Sequence, residues 1–236
     1  MKILAIDTAC SACSVGVLTA EGVIAARSEL MMRGHAESLM PMVRSVLADA
    51  ECEFSDVSLI AVTVGPGSFT GIRTGLAAAR GLGVTLGVQV SGVATLEAIA
   101  AATISSANVA GKPCILAAIE TRRTDLYVQL FESEPGPGGV PRPVDAPKAL
   151  APVDAVSLLP DRPVLLAGDG ADRLCEQAPA RFRERIERVP EIRVPAISAV
   201  ASIAAARLGD PLPAAPLYIH SPAVRRPGEA VAASAS

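Results

Sequence analysis

The chain has no tryptophan, and aromatic residues make up only 3% of its 236 residues. Rings on which bases stack are therefore scarce, which argues against an aromatic platform for single-stranded nucleic acid. No sign of charge dominates: 21 basic and 24 acidic side chains leave a net charge of −3. No strong global field draws the chain to nucleic acid or to an anionic membrane. Long apolar runs are missing too. The uncharged stretch from Gly81 to Leu96 holds 16 residues, four of them glycine, against the roughly 20 apolar residues of a membrane-spanning helix. Met1 and Lys2 lead straight into Ile3–Ile6, and Asp7 breaks the run, so no signal peptide is expected. There are two histidines, His35 and His220, far apart and without a His-x-x-x-His pair. Five cysteines, an odd and scattered set, fit a reducing cytoplasm in a chain large enough to need no staples. Proline is nearly absent from the first half: three of the 19 precede residue 135, and sixteen fall in the last 102 residues.

What the chain does have is apolar bulk, 50% hydrophobic against 19% charged, enough to bury a core and too much for disorder. Residues 3–8, 13–19 and 23–30 read as strands joined by short turns. Leu39, Met42, Val43, Val46 and Leu47 recur at helical spacing over 35–50, with Pro41 in the first turn or at a kink. A strand over 59–64, a glycine loop over 65–70, a helix over 71–86, a strand near 88–90 and a helix over 94–104 complete a β-β-β-α-β-α-β-α series. The order recurs with strands at 114–120 and 125–131, a Pro/Gly-rich stretch over 134–147 and a helix over 149–159. A strand over 164–167, a helix to about residue 178, a strand over 186–189 and a helix over 197–208 follow. Ala5-Ile6-Asp7-Thr8 is echoed by Ala118-Ile119-Glu120-Thr121, and Val62–Gly67 by Val164–Gly170. The matching order predicts a duplicated α/β architecture, that of the actin-like ATPases, around a cleft. The expected parts are residues 1–110, a reduced copy over 111–224, and a disordered Ala/Ser-rich tail over 225–236.

Several residues are candidates for chemistry. Gly65-Pro66-Gly67-Ser68-Phe69-Thr70-Gly71 sits between a strand and a helix start, where N–H groups bind anions or simply cap the helix. It is no P-loop, dinucleotide fingerprint or nucleophile elbow. Asp7 ends a strand, either as a turn residue bonded to its own backbone or as a cleft carboxylate opposite Glu120. Cys10-Ser11-Ala12-Cys13 lies in a strand-to-strand turn without the second pair that zinc needs, so a structural role is expected. His35 reads as a cap or packing residue. The apolar stripe of Ile72, Leu76, Ala79 and Leu82 is core or a partner-docking face. Arg181, Arg183, Arg185 and Arg188 interleave with Glu184 and Glu187 and read as a self-paired surface.

Taken together, Ile3–Thr8, Cys13-Ser14-Val15, His35 with Leu39 and Pro41, and above all Val64–Arg73 resemble the TsaB (YeaZ) family. So do Val90–Val93, Ala118–Arg122, Ala167–Ala171 and Pro216-Leu217-Tyr218, so that the resemblance spans about residues 1–220 in family order. It implies a part in forming threonylcarbamoyladenosine on the tRNA adenosine beside the anticodon. The transferase of that machinery is a metal-bearing actin-like paralogue, TsaD, and a TsaE-type P-loop ATPase joins the complex. This chain has Gly92 and Leu96 where TsaD would carry its metal-binding histidines, so no metal, cofactor or catalytic residue is expected. The resemblance implies a non-catalytic subunit that heterodimerises with TsaD, or pairs with itself when alone, and meets tRNA through the complex. The expected docking residues are His35, Leu39, Met42, Val43, Ile72, Leu76, Ala79 and Arg80. Asp7, Gly168 and Gly170 are candidates for a nucleotide. The alternative is a nucleotide-binding or peptidase-like enzyme acting on its own.

Overall fold

The structure, a computed structural model, describes residues 1–106, 114–121 and 123–219. The expected domain boundary near residues 109–113, the tail over 225–236 and His220 lie outside the described residues.

β1 (Lys2–Asp7) is apolar on both sides because both are covered. Leu4 and Ile6 face one helical layer, Ile3 and Ala5 another. Such continuous burial is the mark of a central strand. β2 (Ala12–Thr19) and β3 (Gly22–Leu30) continue antiparallel on one side of it. β4 (Val57–Gly65) and β5 (Gln89–Ala94) lie parallel to it on the other, giving the order β3-β2-β1-β4-β5. The second sheet repeats this plan. β6 (Cys114–Glu120) is central, and β7 (Leu126–Glu132) is antiparallel beside it, carrying the short β8 (Arg142–Pro143) and β9 (Lys148–Leu150). On the far side, β10 (Val164–Ala167) and β11 (Ile186–Arg188) run parallel to β6. The expected duplication is therefore present in strand order and direction.

Helices fill three layers around the two sheets. α1 (His35–Asp49) and α2 (Phe69–Leu86) cover the outer face of the first sheet. Ser68 caps α2 by accepting from Gly71 N at 3.3 Å, and a left-handed Gly87 ends it. α4 (Pro152–Ala155) and α5 (Ala171–Gln177) cover the outer face of the second. Between the sheets lie α3 (Thr95–Ser106) and α7 (Ile197–Ala206), both alanine-rich. The two helices are exchanged. α3, from the first half of the chain, places Leu96 and Ile99 against the second sheet, and α7, from the second half, packs Val200 and Ile203 beneath the first. The short α6 (Ala180–Arg183) completes the set.

Two expectations change. α2 starts at Phe69 rather than Gly71, so part of the glycine loop is already helix. The helix expected over 149–159 resolves into β9, α4 and a 3-10 turn over Val156–Leu158. Leu150 pairs with Leu126, a long-range bond that local periodicity does not report. Pro41 stands in the second turn of an unbroken α1.

Candidate functional site

The strand ends that carry the cleft candidates do meet, but they are spent on one another. Asp7 is fully buried. Its Oδ1 accepts from Thr63 Oγ1 at 2.7 Å and from Ala9 N at 3.0 Å, while Oδ2 has no hydrogen-bond partner. Burial pushes its carboxyl up to about 6, against the pull of the Thr63 and Ala9 bonds. Across the cleft, Asp169 accepts from Glu120 N at 2.8 Å and from Ser11 Oγ at 3.2 Å, so one side chain stitches the β1–β2 turn to the second sheet. Its carboxyl is also raised, chiefly by burial. Glu120, the counterpart of Asp7, pairs with Arg173 at 3.2 Å rather than facing Asp7.

Glycines in both loops permit close backbone packing rather than ligand approach. A Cβ on Gly71 would strike Thr8 O, whose own side-chain hydroxyl donates to Gly71 O at 2.7 Å. Ser68 N donates to Ala9 O at 2.7 Å. A Cβ on Gly168 would strike Ala118 O, Gly168 N donates to Ile192 O at 2.7 Å, and Gly170 N donates to Ala118 O at 3.1 Å. A phosphate cradle needs free N–H groups. Those of Ser68, Gly71, Gly168 and Gly170 are engaged within the chain, so none of the four is free to bond a phosphate.

Cys10 is buried against the second sheet with Ile119 and Ala167, and Cys13 lies in the outer core of the first. Burial pushes the Cys13 thiol up to about 11 and raises the Cys10 thiol well above its ordinary value. Thiols held protonated are poor nucleophiles and poor metal ligands. Among the described residues no group of three or more His, Cys, Asp or Glu side chains is placed to hold a metal.

The docking candidates separate by face. Leu39, Met42, Val43, Ile72, Leu76 and Ala79 are all buried under the chain's own first sheet. They hold α1 and α2 in place; Met42, Val43, Ile72, Leu76 and Ala79 line no groove on the outer face of the two helices, and of the six only Leu39 reaches the floor of the groove between them. His35 is buried at the start of α1, its Nε2 without a hydrogen-bond partner. Arg80 is exposed but donates from Nε to Ala214 O at 2.9 Å. What α1 and α2 present outward is a groove of about 530 Å³ lined by Ala36, Met40, Phe69, Arg73, Thr74 and Ala77. Periodicity marks such positions only as the non-apolar side of each helix, and alanine and threonine carry no signal of their own.

A strap over residues 211–219 braces this groove. Leu212 O accepts from Gly92 N at 2.8 Å, and Leu217 N donates to Val64 O at 2.7 Å. Tyr218 accepts from Arg73 Nε at 2.9 Å, and the Arg73 guanidinium lies 3.7 Å from the centre of the Phe69 ring. Phe69 and Tyr218 stand 5.3 Å apart. Stacked on one ring and bonded to the other, Arg73 is held at the groove's rim. Behind the strap, a cavity of about 390 Å³ between the two sheets is lined by Glu97, Phe131, Arg207, Leu212 and Leu217, among others. There Arg207 grips both oxygens of Glu97, at 2.5 and 2.9 Å.

Two duplicated sheets with exchanged central helices define the actin-like ATPase class of fold. An Arthrobacter inorganic polyphosphate/ATP-glucomannokinase shares it at TM-score 0.52 and 14% identity, covering 86% of this chain and 97% of that one, a likeness of fold alone. A family model described as "TsaD: tRNA N6-adenosine threonylcarbamoyltransferase" matches residues 22–135. The tRNA threonylcarbamoyladenosine biosynthesis protein TsaB of Escherichia coli K12 is 39% identical over 127 residues, 54% of this chain and 53% of the relative. TsaB of Bacillus subtilis 168 is 32% identical over 170 residues, 71% of each. The solved structure of YeaZ from Pseudomonas aeruginosa has a TM-score of 0.78 at 27% identity, covering 92% of this chain and 99% of that one. The chain belongs to the TsaB (YeaZ) family. Its match spans about half the length of the first curated relatives. No helix among the described residues is long and apolar enough to cross a membrane.

Proposed function

We propose that this chain is the accessory, non-catalytic subunit of the machinery that forms threonylcarbamoyladenosine on tRNA. It would heterodimerise with a TsaD-type paralogue through the outward face of α1 and α2. The observation that carries this reading is the open groove between the two helices, apolar at Ala36, Met40, Phe69 and Ala77 and held rigid from below by their buried stripes. A paralogue of the same fold carries a matching helix pair, so the contact would be pseudo-two-fold. The cleft supports the non-catalytic part: the N–H groups of Ser68, Gly71, Gly168 and Gly170 and one oxygen of Asp7 are bonded within the chain, and its thiols are held protonated. With this reading go a TsaE-type P-loop ATPase, contact with tRNA through the complex, and a cytoplasmic setting.

The test is reconstitution of the modification from purified components with and without this chain, alongside binding of the TsaD-type protein to Ala77→Arg. Ala77 is exposed, so the substitution is expected to leave stability within about 0.5 kcal/mol. It is expected to weaken the complex about tenfold or more and to lower modification in proportion. Unchanged binding by Ala77→Arg, or full modification without the chain, would sink the proposal.

A further inference from the structure

α2 carries a stripe of exposed side chains along its outer face. Phe69, Arg73, Ala77, Arg80 and Val84 follow at steps of four, four, three and four, the spacing of a single helical face. All five are exposed, Phe69 at 41% and Val84 at 85%. Both charges in the stripe are positive, and α2 has no acidic residue to answer them. The strap over 211–219 holds no charged residue at all. On α1 the acids are Glu37, in the first turn, and Asp49, which is spent on Arg27. Among the described residues neither Arg73 nor Arg80 forms an ion pair, whereas Arg27, Arg162 and Arg207 each have an acidic partner.

Both arginines are held by the same device. Arg73 Nε donates to Tyr218 Oη at 2.9 Å, and Arg80 Nε donates to Ala214 O at 2.9 Å. The strap thus engages one N–H of each guanidinium and leaves the two terminal amino groups unused. Arg73 is fixed further by the Phe69 ring, whose centre lies 3.7 Å from its guanidinium carbon. A guanidinium held in this way has little freedom left to lose when it binds, which favours the bound state. Its free end matches a carboxylate, two parallel N–H donors to two oxygens. Arg73 and Arg80 stand seven residues apart, about 10.5 Å or two turns along the axis.

We infer that this stripe receives a partner helix presenting two carboxylates two turns apart, one against Arg73 and one against Arg80, with a small apolar residue between them over Ala77. The inference rests on the proposed docking with a TsaD-type paralogue and supplies the chemistry of what docks. Phe69, Ala77 and Val84 alternate with the arginines, so a second helix covers carbon and charge together. A phosphate backbone would pair with the arginines and leave those three side chains in water, so a protein helix fits the stripe better than nucleic acid does. Charges flanking an apolar contact set partner choice and register. Here they reject a helix that is basic at the facing positions.

Binding of the full chain to the purified TsaD-type protein tests this. Arg73→Glu and Arg80→Glu are each expected to weaken the complex about tenfold or more. Added salt is expected to weaken the wild-type complex and to leave that of the doubly substituted chain nearly unchanged, a response that loss of the strap's bonds alone would not give. Arg73→Lys keeps the charge and carries the test if Arg73→Glu does not fold. A carbodiimide condenses an amine with a carboxylate and takes up the water as a urea. It is expected to couple the introduced amine to an Asp or Glu of the partner, located by mass spectrometry of the linked peptides. The inference is overturned if Ala77→Arg breaks the complex while both Glu substitutions leave affinity and salt response as in wild type, and the docking proposal then stands without it. It is overturned too if no partner carboxylate is coupled, or if the Glu substitutions weaken binding of tRNA and not of the TsaD-type protein. If Ala77→Arg and both Glu substitutions all leave binding intact, the docking proposal falls with it.

Discussion

Asp7 shows how a side chain in a cleft position can be structural. Buried, with one oxygen bonded twice and the other without a partner, it binds its proton more tightly in the folded chain than in the unfolded one. A carboxyl raised from 3.8 to about 6 contributes stability that is full below its unfolded value and is lost as pH rises through the folded value. The shift corresponds to about 3 kcal/mol. Asp169 and Glu120 are raised as well, and their contributions have the same sign. Asp7→Asn is therefore expected to flatten the loss of stability between pH 4 and 7 by about 2–3 kcal/mol, read from urea melts at several pH values. A slope equal to that of wild type would show that Asp7 is charged throughout. At this scale the sequence is legible in part. Asp7, Glu120 and both glycine loops stand out because acid or glycine follows an apolar strand. Whether such a residue faces a ligand or its own backbone depends on contacts such as Thr63–Asp7 and Ala118–Gly168, 56 and 50 residues apart in the chain.

At the scale of elements, apolar spacing locates most helices and strands but does not say who covers them. Leu39, Met42, Ile72 and Leu76 form regular stripes because the first sheet lies beneath them. The exposed groove beside them sets Met40 and Phe69 among alanines, threonines and Arg73, a mixture that no hydrophobic pattern marks. The strap over 211–219 is equally hidden, for its prolines give it neither helical nor strand period, and it is held by single bonds from Gly92, Arg80 and Arg73. Arg80→Ala removes the donor to Ala214 O, worth about 1 kcal/mol. Hydrogen exchange at Leu217 N–H, which donates to Val64 O, is expected to speed about fivefold. Unaltered exchange there would mean that apolar packing alone seats the strap.

For the whole molecule, the exchanged helices make two sheets into one cooperative body. α3 belongs to the first half and is wedged between the sheets, with Leu96, Ile99 and Ala100 against the second and Ala98, Ala101 and Ala102 against the first; α7 belongs to the second half and packs beneath the first. Glu97 on α3 and Arg207 just beyond α7 tie the two together, with side-chain exposures of 8% and 27%. Glu97→Ala strands a half-buried guanidinium, at a cost of about 2–3 kcal/mol. A chain of this size then melts roughly 5–10 °C lower, in one calorimetric transition. Two transitions, only one of them displaced, would show that the halves unfold apart. The duplication itself was visible in the sequence, through the echo of Ala5–Thr8 in Ala118–Thr121 and the repeated element order. The exchange was not, because Ala100, which joins the second sheet, reads like Ala98, Ala101, Ala201 and Ala204, which join the first.

That exchange has a consequence on the ribosome. The first sheet is complete at Ala94, but the helix that covers its inner face begins about a hundred residues later, at Ile197. At the usual pace of about 5–20 residues per second, the nascent chain leaves Ile3, Ala5, Leu59, Ala61 and Val93 uncovered by α7 for roughly 5–20 s. During that interval the finished strands are a target for holding chaperones, and a transcript truncated before Ile197 would yield a sheet whose inner face is covered by α3 alone, through Ala98, Ala101 and Ala102.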